Sequence, residues 1–146
     1  MARLTDIADA IAAELHAAPE ETFAAPFAAG RRCVPLVDLA DLAGLHVTVV
    51  PAARSMATAT RGSASDEIAA DIAVQQRVNP ASIDDEVAGL LGLIEQIADY
   101  LRGRPLAAAP GAAWISTVHE PPYEPDHLLD HNLFTGVLRV TYRQLV

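Results

Sequence analysis

At 146 residues the chain has room for one ordinary domain with a shared core and not, comfortably, for two. Its net charge is −9 and all ten basic residues are arginine, a balance that repels phosphate and argues against a protein that reads nucleic-acid sequence through clustered cations. The single cysteine, Cys33, cannot form an internal disulfide, and neither an apolar run of ~20 residues nor a basic-then-apolar leader is present, so the expected setting is a reducing, cytosol-like solution without a membrane.

The first segment places Ile7, Ile11 and Leu15 four apart with Asp6, Asp9 and Glu14 turned elsewhere, which predicts a short amphipathic helix over 5–16 with Thr5 as its N-cap. Prolines and clustered alanines over 17–30 predict an irregular connection. Residues 31–36 read as extended, and 37–44 as a helical turn or two closed by Gly44. A strand is predicted over 45–50, with Leu45, Val47 and Val49 on one face, and Pro51 is expected to end it by removing a ladder donor. The small polar residues of 52–66 predict a flexible or partner-ordered loop bearing Arg54 and Arg61.

Clear alternation returns at 67–78, where Ile68, Ala70, Ile72, Val74 and Val78 oppose Glu67, Asp71, Gln75 and Arg77, the mark of a half-buried antiparallel strand. Ser82 followed by Asp85 resembles a capping box. The helix it opens, 83–102, carries Val87, Leu90, Leu91, Ile94, Ile97 and Leu101 as an apolar stripe and stops at Arg102-Gly103 with Pro105 beyond. The stripe is read as interior, not as a partner-binding face, because no other segment offers a core element of similar quality. A short strand at 113–118 precedes a polar excursion over 120–132. The closing strand, 133–145, then sets Phe134, Leu138, Val140 and Tyr142 against Thr135, Val137, Arg139, Thr141 and Arg143. Helix, strands, helix, strands without regular βα alternation predicts a single α+β domain with a mainly antiparallel sheet and helices packed on one face.

Chemistry-bearing residues are sparse. His127 and His131 stand four apart and, with His119 and nearby carboxylates, offer a candidate transition-metal site for a small metal-binding domain or hydrolase, although no glutamate follows His127 to act as a base. Cys33 beside Arg31-Arg32 has no histidine near it in sequence, Ser55, Ser63 and Ser65 lie in no nucleophile elbow, and no glycine pattern makes a phosphate cradle. These residues predict neither catalysis nor a cofactor. A cytosolic adaptor or toxin-neutralising partner suits the size and acidity as well.

The segments Leu45–Pro51, Asp71–Val78, Ile94–Gly103 and Leu133–Arg143 together resemble small neck and minor tail proteins of tailed bacteriophages and prophages, with the tail terminator, or tail-completion, family the nearest group. Ala69-Ala70 departs from it, since bulkier or aromatic residues are frequent there. The resemblance implies a non-enzymatic virion protein, present in the host cytoplasm during assembly, that forms a hexameric ring capping the tail tube and docks on the head-tail connector, with DNA passing through unread. Another neck or connector protein is the alternative. Under this reading Arg54, Arg61, His127, His131, Arg139 and Arg143 are the candidate interface residues, carried on exposed loops and on the polar face of the last strand.

Overall fold

Ile7, Ile11 and Leu15 are all buried along helix α1 (Leu4–His16), with Ala8, Ala10 and Ala12 buried beside them, so small side chains let this helix lie close on what it covers. Thr5 sits inside the helix instead of capping it, because the helical turn already includes Leu4. The structure, a computed structural model, describes residues 4–19, 22–23, 27, 29–32 and 44–145, with Ala59 and Leu145 described by backbone alone. The readings for 33–43, Cys33 among them, lie outside the described residues.

Strand β1 (Ala29–Arg31) pairs in parallel with the start of strand β2 (His46–Thr60), from Ala29 opposite Val47 to Arg31 opposite Val49. Two expectations fail here. The strand does not end at Pro51, and residues 52–66 are not a loop: β2 runs on to Thr60, turns at Arg61-Gly62 and returns as strand β3 (Ser63–Arg77), making one long antiparallel hairpin. Pro51 is tolerated because a register shift between Pro51 and Ala53 falls at that point and β1 no longer flanks the strand there, so no outer partner lacks its donor. Gly62, at φ +87°, supplies the left-handed turn residue that a side chain would strain.

Strand β3 is central, hydrogen-bonded to β2 on one side and along its length to strand β5 (Leu133–Leu145) on the other, and strand β4 (Ala113–Val118) closes the sheet beyond β5. The order is β1-β2-β3-β5-β4, antiparallel throughout except for β1. Val47, Val49, Ile68, Ala70, Ile72, Val74, Phe134, Leu138, Val140 and Tyr142 point to one side and join a single core with Ile7, Ile11 and Leu15 of α1 and with Leu90, Leu93, Ile94, Ile97 and Leu101 of helix α2 (Ile83–Leu101). The fold is therefore α+β, one domain, with α1 and α2 on the same face of the sheet. Leu93 completes the α2 stripe that the spacing located only in part.

Where α2 crosses β5, glycine makes the approach possible: a Cβ built on Gly136 would meet Ile94 Cδ1 at 2.5 Å and the Phe134 ring at 3.0 Å. The two helices also touch, the Tyr100 hydroxyl donating to the Glu14 carbonyl at 3.5 Å. The start of α2 differs from the expected capping box. Ser82 makes no side-chain cap bond; Asn79 Oδ1 accepts from Ala81 N–H at 3.0 Å across a 3-10 turn (Pro80–Ser82), and Glu86 reaches back to accept from Asn79 N–H. The glutamate does this better than Asp85 because its longer side chain spans the extra turn.

The excursion over 120–132 is not all loop either. Pro125, free of a donor obligation at the first turn, opens helix α3 (Pro125–His131), and Asn132 closes it in the left-handed region at φ 51°. Val78 N–H donates to Asn132 C=O at 2.8 Å, which fixes α3 at the end of the sheet where β3 finishes and β5 begins.

Candidate assembly surfaces

Turned away from α1 and α2 is a sheet face on which charge is cancelled in place. Asp71 lies opposite Arg139 and Glu67 opposite Arg143 in the β3–β5 register. Arg139 donates from Nε and Nη2 to the two Asp71 oxygens at 2.8 and 3.1 Å, and Arg143 Nε donates to Glu67 at 3.1 Å. Both arginines are about half exposed, so these pairs neutralise the face more than they stabilise the fold.

The hairpin holds a different kind of pair. Asp66 is fully covered, whereas the Arg54 side chain, diagonal to it on β2, is 41% exposed. Arg54 donates from Nε to Asp66 Oδ1 at 2.9 Å and from Nη2 to Oδ2 at 2.9 Å, and Gln144 Nε2 adds a longer bond at 3.4 Å. The bond from Arg54 holds the Asp66 carboxyl below the usual carboxylate range; burial opposes this, and Gln144 and the arginine charge assist. Near the turn, the hydroxyls of Thr60 and Ser63 bond to each other. Outside this clamp the distal half of β2 is bare: residues 53–58 are exposed, Met56 at 56%.

On α3, His127 Nδ1 shares a hydrogen bond of 2.9 Å with Thr135 Oγ1, which ties the helix to β5, while His131 is exposed. His119 bonds instead to the Pro122 carbonyl at 2.8 Å. The helical spacing of His127 and His131 is realised, but among the described residues no three His, Cys, Asp or Glu side chains form a group able to hold a metal ion. A cleft of about 670 Å3 lies between α2 and β4, with Glu95, Asp99 and Arg102 on the helix side and Trp114, Thr117 and Leu138 on the sheet side. Trp114 Nε1 donates to Thr117 Oγ1 at 2.9 Å within it.

The candidate interface residues thus fall into three places: Arg54 and Arg61 on the hairpin, Arg139 and Arg143 on the neutralised face, His127 and His131 on α3. They form no single site. Sequence reasoning missed Asp66, the bare β2 edge and the α2–β4 cleft; the alternation of small residues with Arg54, Met56 and Thr58 was the available signal for the second. No helix among the described residues is long and apolar enough to cross a membrane. No protein-family model matches the chain, and no curated protein matches it in sequence.

Proposed function

We propose that the chain is a structural virion protein of a tailed bacteriophage or prophage, one copy of a hexameric ring at the head-proximal end of the tail that ends tail-tube polymerisation and joins the tail to the head connector. The observation that carries this reading is the segregation of charge along the strands. At the hairpin end, the turn carries Arg61, while Arg54 beside it is paired with the buried Asp66. At the opposite end, the first turn of α2 brings Asp84, Asp85 and Glu86, and α3 with its N-cap brings Glu124, Asp126 and Asp130. A subunit that sits between two different neighbours needs two unlike ends, and these supply them. The excess of −9 per copy multiplies around a ring and lets a DNA duplex slide through without sticking.

Deleting the gene from the phage or prophage that encodes it and imaging the particles tests the proposal. Overlong tails detached from heads are the expected result. Tails of normal length that fail to join heads would assign the protein to a sibling position in the neck, and complete particles would refute a structural role. Stoichiometric metal in elemental analysis of the purified protein would favour the small metal-binding domain instead.

A further inference from the structure

We infer that the distal edge of β2 in one copy adds as an antiparallel strand to the outer edge of β4 in the next copy, so that the sheets of successive subunits run on as one. The inference rests on the ring-subunit function proposed above and names its lateral contact.

Among the described residues, both edges lack a further strand on the same sheet. β1 covers β2 only from Val47 to Val49, and the Arg32 N–H bond to Val49 C=O at 2.9 Å is the last on that side; among the described residues nothing pairs with the outer side of 52–60. β4 pairs with β5 alone among the described residues. Exposed edge strands are ordinarily blunted by charge, proline or shortness, because their unpaired N–H and C=O groups template further pairing. Beyond Pro51 this edge runs Ala-Ala-Arg-Ser-Met-Ala-Thr-Ala-Thr with one charge, and β4, Ala-Trp-Ile-Ser-Thr-Val, has none. Met56 and Val118 are 56% and 49% exposed.

A second copy fits better than any other occupant, for three reasons. Direction comes first: β2, β3, β5 and β4 are successively antiparallel, so β4 is antiparallel to β2, and a neighbour in the same orientation brings its β2 to β4 antiparallel with its helices on the same side. Such a contact joins two different surfaces and therefore propagates head to tail, which is what a ring requires. Level is the second reason. The pairings make a row across the sheet, Ser55–Glu67–Arg143–Ala113, and another, Arg54–Ile68–Tyr142–Trp114, so 53–55 of the bare edge lie level with the first half of β4 in a copy set side by side. The third reason is charge. The second row places an incoming Arg54, itself paired with Asp66, beside Trp114, in the α2–β4 cleft whose helix side carries Glu95, Asp99 and Arg102, a net negative lining.

Cross-linking decides the matter. In a Cys33→Ser background, Ser55→Cys and Ala113→Cys are made singly and together; both positions are exposed. Within one chain they are about 14 Å apart, three strand spacings, beyond the reach of a short bismaleimide. Expected are no product from either single variant, a covalent dimer from their mixture, and a ladder ending at the ring size from the double variant. In the otherwise unaltered chain, Met56→Glu, which puts a charge on the exposed β2 edge, is expected to weaken self-association roughly tenfold by light scattering. A dimer from either single variant alone, no product from the mixture, or unchanged association of Met56→Glu would overturn the inference. Rings seen by electron microscopy without the ladder remove the edge contact and leave the function standing; the ladder from a protein whose deletion leaves particles complete does the reverse.

Discussion

Arg54 reaches diagonally across the hairpin to Asp66, an exposed guanidinium gripping a fully buried carboxylate, with two bonds of 2.9 Å. They come from arms that share no wide apolar face at this level, so the clamp and the backbone ladder hold the distal hairpin together.

Asp66→Asn is therefore expected to loosen the hairpin locally while leaving the core intact. Hydrogen exchange of amides in 53–66 should quicken roughly tenfold, the loss of about one charge-assisted hydrogen bond, with exchange in α2 unchanged. The pH dependence has a definite sign. Because the folded carboxyl is held below its unfolded value, the unfolded state binds the proton more readily; the contribution is complete above the ordinary aspartate pKa of about 3.9 and is lost as pH falls through the depressed folded value. Hairpin protection should hold steady down to about pH 5 and decline below pH 4, and the Asn variant should not show that decline.

Gly136→Ala should destabilise by ~1–2 kcal/mol, since the added methyl meets Ile94 Cδ1 and the Phe134 ring in a packed interior. Ile94→Val removes the δ-methyl group. The double variant should recover part of the loss, a non-additivity readable in urea midpoints; strict additivity would mean that the helix shifts freely instead.

Tyr142 is buried, and its hydroxyl has no hydrogen-bond partner among the described residues. Tyr142→Phe should stabilise by about 1 kcal/mol, because it removes a desolvated polar atom and keeps the ring. Burial, with the Glu14 charge in second place, pushes the phenol above its ordinary range. Its contribution is thus full below the unfolded tyrosine pKa of about 10 and falls as pH rises past it, so wild-type stability should drop on the alkaline side more steeply than that of the Phe variant.

Arg139→Ala should shift the unfolding free energy by less than ~1 kcal/mol, as expected for a solvent-screened pair with Asp71. Thermal or urea unfolding measures this directly, and a larger loss would mean that the open face is packed against something in the isolated protein.

Burial decided what could be read from the residues. β3 and β5 each set their large apolar side chains on one face, which imposes a period of two, so Ile68–Val74 and Phe134–Tyr142 announced themselves; α2 did so through its stripe and its Arg102-Gly103 stop. Residues 52–66 bury little, so Ala53, Ser55 and Ala57 alternate with Arg54, Met56 and Thr58 in size and scarcely in hydropathy, and Pro51 read as a terminus. Asp66 was illegible for another reason. What makes it notable is its neighbours, Arg54 twelve positions away and Gln144 seventy-eight, and nothing local marks them. The helix at 125–131 is too short for periodicity to register, and its cap at Asn132 depends on a backbone conformation that composition does not display.

Strand β5 lies between β3 and β4, although it follows both in the chain. A nascent polypeptide that has reached residue 132 can close the β2–β3 hairpin, but it leaves one side of β3 without its ladder and β4 without any partner. Insertion of 133–145 is thus the step that turns two fragments into one sheet, and it demands contacts as distant in sequence as Ser65 with Leu145. Production in the cell should accordingly depend on holding that vacant slot clear of other strands until the closing segment arrives.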